Sequence, residues 1–197
     1  RSGIDEWGNR YPLTFKAFGE HKLPGLPYMV SFLLNFWPLS IFIVRLPSAI
    51  AGFFSILAVY LILKEVFSKN SLFPFLGAFI IAFVPWSFSL SRLFFESNVA
   101  NGIFLFGFLF LIRFIKKPIK NKLVDPNSFL SATLFALAGY FYIVHRLIGP
   151  ILLTFSFYLL FKTKKVALKK SLFILGVFGL VSLPLIFQMI NPEASKR

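Results

Sequence analysis

The chain has 197 residues, of which 57% are hydrophobic, 29 are Phe and only 14% are charged. Soluble domains carry about 25% charged residues, so the composition excludes an ordinary soluble domain and places the chain in the membrane class. The formal charge of +14 does not point to nucleic acid, because Lys and Arg sit mainly in short loops between apolar runs, the pattern of cytoplasmic membrane loops.

Cysteine is absent, which excludes disulfides and thiolate metal sites. The chain opens on Arg, with no signal-peptide pattern ahead of its polar start, and reads as a fragment of a longer protein.

Residues 1–44 open with a polar stretch, IDEWGNRYPLTFKAFGEHKLPG, that contrasts with almost everything after it. In PYMVSFLLNFWPLSIFIV, residues 27–44, Asn35 and Pro38 interrupt an apolar run that is otherwise long enough to span. Pro38 breaks a helix, so an interfacial or re-entrant helix is expected; a true span would put the chain start on the cytoplasmic side. Six apolar segments follow within 45–190, at about 46–63, 72–90, 97–114, 128–144, 147–161 and 171–190, each close to the ~20 residues of a bilayer-spanning helix. Residues 191–197 would begin the next outer loop. The expected fold is therefore all-α, a polytopic membrane protein of about six transmembrane helices plus an outer-face interfacial or re-entrant helix.

Three connections hold twelve of the 21 basic residues. They carry Lys64 and Lys69, then Arg113, Lys116, Lys117, Lys120 and Lys122, then Lys162, Lys164, Lys165, Lys169 and Lys170. The positive-inside tendency makes that face cytoplasmic, so residues 1–44 fall outside, and Trp7, Trp37 and Trp86 map to the same outer level. No internal repeat, low-complexity tract or separate soluble domain is visible.

Ionisable residues lie at or inside the outer span ends. Arg45 opens RLPSAIAG, Arg92 and Glu96 lie in SLSRLFFESNVANG, and His145 and Arg146 lie in GYFYIVHRLIGP. Ionisable groups at membrane depth are costly and mark a functional site or a pairing partner. Three arginines and a lysine near one surface form a basic pocket suited to a phosphate head group. Simpler readings stand beside this one. Arg92 and Glu96 are four apart and can pair on one helical turn. Arg45 and Arg146 can be snorkelling anchors, His145 an interfacial neighbour, Tyr140 and Tyr142 aromatic-belt residues, and Lys16 and Glu20 a solvated pair. Asp125-Pro126 reads as a helix start.

The ordered set DEWGNRYPLTFKAFGEHKLPGLPY, RLPSAIAG, SRLFFESNVA and YFYIVHRLIGP resembles bacterial and archaeal membrane glycosyltransferases of the protein-mannosyltransferase-like group. These are glycosyltransferase family 39 enzymes with the GT-C fold, and they include the lipid A aminoarabinose transferases. The resemblance runs over nearly the whole chain. It implies an inverting enzyme at the cell membrane that moves a sugar from a polyprenyl-phosphate carrier to a glycan, lipid or protein acceptor on the outer face. It also implies a carboxylate base in the first outer loop and basic groups on the leaving phosphate. The family's principal Asp-Glu pair is expected upstream of residue 1, with Asp5-Glu6 a second acidic pair. On this reading Asp5, Glu6 and Glu96 are the catalytic candidates, and Lys22, Arg45, Arg92, Arg146, Tyr142 and His145 hold the carrier phosphate or substrate. No cofactor, metal or nucleic acid is expected. The rival readings are a transporter or flippase for lipid-linked sugars and a non-catalytic subunit.

Overall fold

The computed structural model describes residues 4, 8, 10–17, 20–67, 71–116, 125–163 and 168–190. Its elements in chain order are β1 (Phe15–Ala17), β2 (Glu20–Lys22), α1 (Gly25–Leu33), α2 (Ile41–Val66), α3 (Phe73–Phe83), α4 (Pro85–Ser91), α5 (Glu96–Lys116), α6 (Pro126–Ala138), α7 (His145–Lys162) and α8 (Leu168–Ile190). The antiparallel hairpin β1–β2, which sets Lys16 opposite His21, and an isolated bridge between Ile4 and Arg10 are the departures from an all-helical chain among the described residues.

The six apolar segments all form helix, but six spans do not result. Among the described residues, α2 and α5 are each long and apolar enough to cross a bilayer, and α3 with α4 makes a third crossing if the bent pair is one span. α3 and α4 are bent by 61° at Val84, where Pro85 removes a backbone donor and resets the chain direction. The segment expected as one helix over 128–144 divides. α6 has 13 residues, a length of about 20 Å against a hydrocarbon core of about 30 Å, and the chain turns over Gly139–Val144 before α7 starts. α8 is one continuous apolar helix of 23 residues, Leu168–Ile190.

Small residues let α2 and α5 approach closely and run parallel. At one end Ser48 Oγ accepts from the Phe95 N–H at 3.3 Å, and Asn98 Nδ2 donates to the Ser48 carbonyl at 2.8 Å. A Cβ on Gly102 would lie 3.2 Å from the Ala51 carbonyl oxygen and 3.4 Å from Ser55 Oγ. Ser48, Ala51 and Ser55 thus form a small-residue seam against α5, while Gly52 beside them admits Ser91 of α4, the packing that substitutes for hydrophobic driving force within a membrane. At the far end Arg113 Nε donates to Glu65 Oε1 at 2.8 Å.

α6 returns antiparallel to α5, with Gly107 against the Phe135 ring. α7 then runs alongside α5, His145 meeting Phe104 and Phe157 meeting Phe114. α8 runs back past α7 and α6, since Gly149 faces Phe178 and Gly139 faces Leu185. Two apolar centres result. Leu111, Phe114, Phe135, Leu153, Phe157 and Ile174 pack within α5–α8, while Leu26, Val30, Ala51, Val99, Ala100 and Phe141 pack beneath α1. Many other large apolar side chains face outward, among them Phe53, Phe79, Trp86 and Phe187; in water they would be a liability, and in lipid they cost nothing.

Candidate functional site

Helix directions collect the sequence candidates at one end of the bundle, the end that carries α1, the starts of α2, α5 and α7 and the close of α4. Lys64, Glu65, Arg113, Lys116 and Lys162 lie at the opposite end. Within the first end the candidates fall into two groups.

The first group surrounds the turn between α6 and α7. The Gly25 N–H donates to the Tyr140 carbonyl at 3.1 Å, which docks the start of α1, three residues after Lys22, on this turn. Phe141 is buried against Gly25 so closely that a Cβ there would sit 2.7 Å from the ring. Tyr140 donates its hydroxyl to the Val181 carbonyl at 2.6 Å, tying the turn to α8. Arg146, half-buried, donates from Nε to the Gly139 carbonyl at 3.0 Å. His145 is buried, 4.8 Å from Phe104 and 5.9 Å from Tyr142 ring to ring, and its Nδ1 has no hydrogen-bond partner among the described residues. Burial pushes this imidazole below its ordinary value, with the Tyr142 backbone acting the other way. Lys22 is half-buried at the end of β2. Tyr28 donates to the Pro12 carbonyl at 2.9 Å, and its ring meets Phe15 edge-on, which holds Pro12 and Phe15 against α1.

The second group surrounds the start of α2. That helix begins at Ile41, capped by Ser40, whose side chain accepts from the Ile43 N–H at 3.3 Å. Arg45 therefore lies in the second turn of a long helix rather than ahead of it. It is exposed and lines an open groove of about 520 Å³ together with Leu39, Ser40, Ile41, Val44 and Phe94. Arg92 caps the C-terminal end of α4 and lies 5.2 Å over the Phe88 ring. The single-turn pairing expected for Arg92 and Glu96 is not available, because α4 ends at Ser91, residues 92–95 are not helical and Glu96 opens α5. Glu96 instead sits in the first turn of α5, where the positive helix end favours a carboxylate.

Asp5 and Glu6 lie outside the described residues, and among those described no group of three His, Asp or Glu side chains is placed to hold a metal. Sequence reasoning passed over Ser40 and Phe94. Ser40 carried a readable signal, a Ser directly before an apolar run and therefore a helix N-cap. Phe94 carried none, since only the turn between α4 and α5 brings it to the groove.

Fold and site together define a helical membrane protein that carries Lys22, Arg45, Arg92 and Arg146 at one end, with Arg45 in the wall of a mostly apolar groove. The family model of the dolichyl-phosphate-mannose-protein mannosyltransferases matches residues 21–189, and the chain belongs to that family. The class is that of membrane glycosyltransferases that use a lipid-linked sugar. The match begins beside Lys22 and leaves Asp5 and Glu6 ahead of it. Searches of curated proteins and of solved structures found no match.

Proposed function

We propose that the protein is a prokaryotic member of glycosyltransferase family 39 that moves a sugar, with inversion, from a polyprenyl-phosphate carrier to a glycan, lipid or protein acceptor at the outer face of the cell membrane. The observation that carries this reading is Arg45, a cation set in the wall of an apolar groove at the start of the longest apolar helix. A groove of that make-up suits a molecule that is both anionic and lipidic.

In the reaction an acceptor hydroxyl attacks the anomeric carbon, and the bond from that carbon to the phosphate oxygen breaks with its electron pair on the oxygen. The hydroxyl proton passes to a carboxylate, for which Glu96, Asp5 and Glu6 are the candidates of this chain. Arg45 and Arg92 meet the charge that develops on the leaving phosphate, and Lys22 and Arg146 serve it from the second group. Tyr142 and His145 shape the substrate side of that group. The Lys- and Arg-rich loops then face the cytoplasm, a sidedness supported by Lys64, Arg113, Lys116 and Lys162 at the other end of the bundle.

Transfer of radiolabelled sugar from polyprenyl-phosphate donors by the full-length protein in detergent tests this. Arg45→Ala should lower transfer about a hundredfold or more while leaving membrane insertion intact; unchanged turnover removes Arg45 from the site. The bent α3–α4 pair favours the second reading, a transporter of lipid-linked sugars, since broken helices line transport sites. A transporter shows no transfer in detergent, where no membrane sides exist.

A further inference from the structure

The turn between α4 and α5 is fastened to one face of α2 at both of its ends. At the near end a Cβ on Gly52 would lie 2.6 Å from Ser91 Cβ, so the last residue of α4 is seated directly on the backbone of α2. At the far end Ser48, fully buried, accepts from the Phe95 N–H at 3.3 Å and donates to the Phe95 carbonyl at 3.5 Å. One hydroxyl thus meets both backbone groups of the residue ahead of α5. Asn98, in the first turn of α5, backs the joint from its Nδ2 to the Ser48 carbonyl. Arg45, Ser48 and Gly52 stand at i, i+3 and i+7, which puts them on the same face of α2.

Arg92, Leu93 and Phe94 lie between the two pins. Leu93, Phe94 and Phe95 are all exposed, so no buried side chain of the turn fixes its place, and the contacts with α2 do. Arg92 is held over the Phe88 ring at 5.2 Å. Glu96 follows the second pin directly, and Phe94 reaches the groove that Arg45 lines. Both ionisable residues of SLSRLFFESNVANG are therefore carried on backbone held by the face of α2 that bears Arg45.

We infer that Ser48 and Gly52 are positioning residues for sugar transfer: they fix the turn from Arg92 to Glu96 against α2, so that Arg92 and Glu96 meet the substrate in one set relation to Arg45. The inference rests on the reading of Arg45, Arg92 and Glu96 as site residues and deepens it by naming what holds them together.

Gly52→Ala cannot be absorbed where Ser91 stands, because ordinary carbon contacts need about 3.5–4.0 Å, and the end of α4 must move by about 1 Å. A misplacement of about 1 Å around a reacting centre can cost about a hundredfold in rate. The test is transfer of radiolabelled sugar by the full-length protein in detergent, expressed per folded molecule. Gly52→Ala should lower kcat about tenfold or more and change the donor KM less than about threefold, because the charge these groups meet develops in the transition state. Ser91→Gly removes the opposing Cβ, and Gly52→Ala combined with it should return kcat to within about threefold of wild type. On top of Arg92→Ala and Glu96→Gln, Gly52→Ala should cost less than about threefold more, since it acts through those two side chains. Ser48→Ala should lower kcat about threefold or more, while hydrogen exchange at the Phe95 amide rises about tenfold. A substitution that merely loosened the bundle would lower the folded fraction and leave kcat per folded molecule unchanged.

A kcat for Gly52→Ala within about twofold of wild type, a loss that Ser91→Gly does not relieve, or an equal loss in the Arg92→Ala, Glu96→Gln background overturns the positioning role. Where Gly52→Ala yields no folded protein, Ser48→Ala decides, and an unchanged kcat there overturns the role as well. If Arg92→Ala lowers transfer while Gly52→Ala and Ser48→Ala do not, the glycosyltransferase reading stands without the clamp. If the wild type transfers nothing, the enzyme reading falls, and the positioning role falls with it even where exchange at Phe95 follows Ser48.

Discussion

Two glycines in the bundle should answer the same substitution with opposite signs. Gly107 lies in α5 against the Phe135 ring, where an added Cβ would come 2.8 Å from Cδ1 and 2.9 Å from Cε1. Ordinary carbon contacts lie near 3.5–4.0 Å, so the methyl of Gly107→Ala intrudes by about 1 Å. The ring has nowhere to go. Phe135 is fully buried, Phe104 holds it at 4.8 Å between centroids, and Gly149 of α7 closes behind it, its Cβ position 3.2 Å from that of Phe135. Overpacking of this kind costs about 1–3 kcal/mol, and the tight surroundings favour the upper end. Ala is about 1 kcal/mol better than Gly in a helix interior, which offsets part of the loss. The net expectation for Gly107→Ala is about 2 kcal/mol of destabilisation, a fall in midpoint of roughly 4–8 °C. Gly176 in α8 has nothing within 4 Å of its added Cβ, so Gly176→Ala should keep the propensity gain and be neutral or stabilising by up to about 1 kcal/mol. Reversible unfolding in detergent against added dodecyl sulfate, followed by circular dichroism, measures both. Adding Phe135→Leu to Gly107→Ala should recover part of the loss, because the two share one contact. A Gly107→Ala protein as stable as wild type, or shifts of the same sign at both glycines, would refute the packing assigned to α5 and α6.

Asn98→Leu removes the bond to the Ser48 carbonyl and should cost about 1–2 kcal/mol. Ser48→Ala leaves that carbonyl in place and removes a separate bond, the one its Oγ accepts from the Phe95 N–H, so the two costs should add to within about 0.5 kcal/mol in the same unfolding assay; a larger interaction term would show that the two bonds act as one contact. Asp125, the fully buried cap of α6, accepts from the Asn127 N–H at 3.0 Å; Asp125→Ala should cost about 1 kcal/mol, and Asn should restore most of it. Glu65→Gln breaks a pair whose side chains are 37% and 33% exposed, so its cost should stay below about 1 kcal/mol and shrink in high salt. His145 has a folded-state pKa below its unfolded value of about 6.5. Between those two values the unfolded chain binds the extra proton, so stability should fall as pH drops below about 6.5. His145→Phe keeps the ring contact with Phe104 and should flatten that dependence; a slope unchanged by the substitution would assign it to another group.

The sequence by itself determined the membrane class, because an excess of apolar residues over charged ones is a sum over the chain and needs no geometry. It also placed the helical segments, whose apolar runs and breakers are local, and the family through ordered stretches such as RLPSAIAG and SRLFFESNVA. Residues 128–144 show where local reading stops. The run is apolar throughout, yet it turns after Ala138, because Tyr140 bonds to Val181, Gly25 bonds to Tyr140 and Phe141 seats under α1. Those partners are 41 residues away in one case and more than a hundred in the others, so no window of sequence contains them. The β1–β2 hairpin was missed for another reason, being three residues a side with no apolar alternation. Ser40 was readable as a cap and Arg45 as a misplaced charge. That the two share a groove with Phe94 was decided only when Ser48 and Asn98 fastened α2 to the start of α5, since that bond sets the loop before α5 against the first turn of α2.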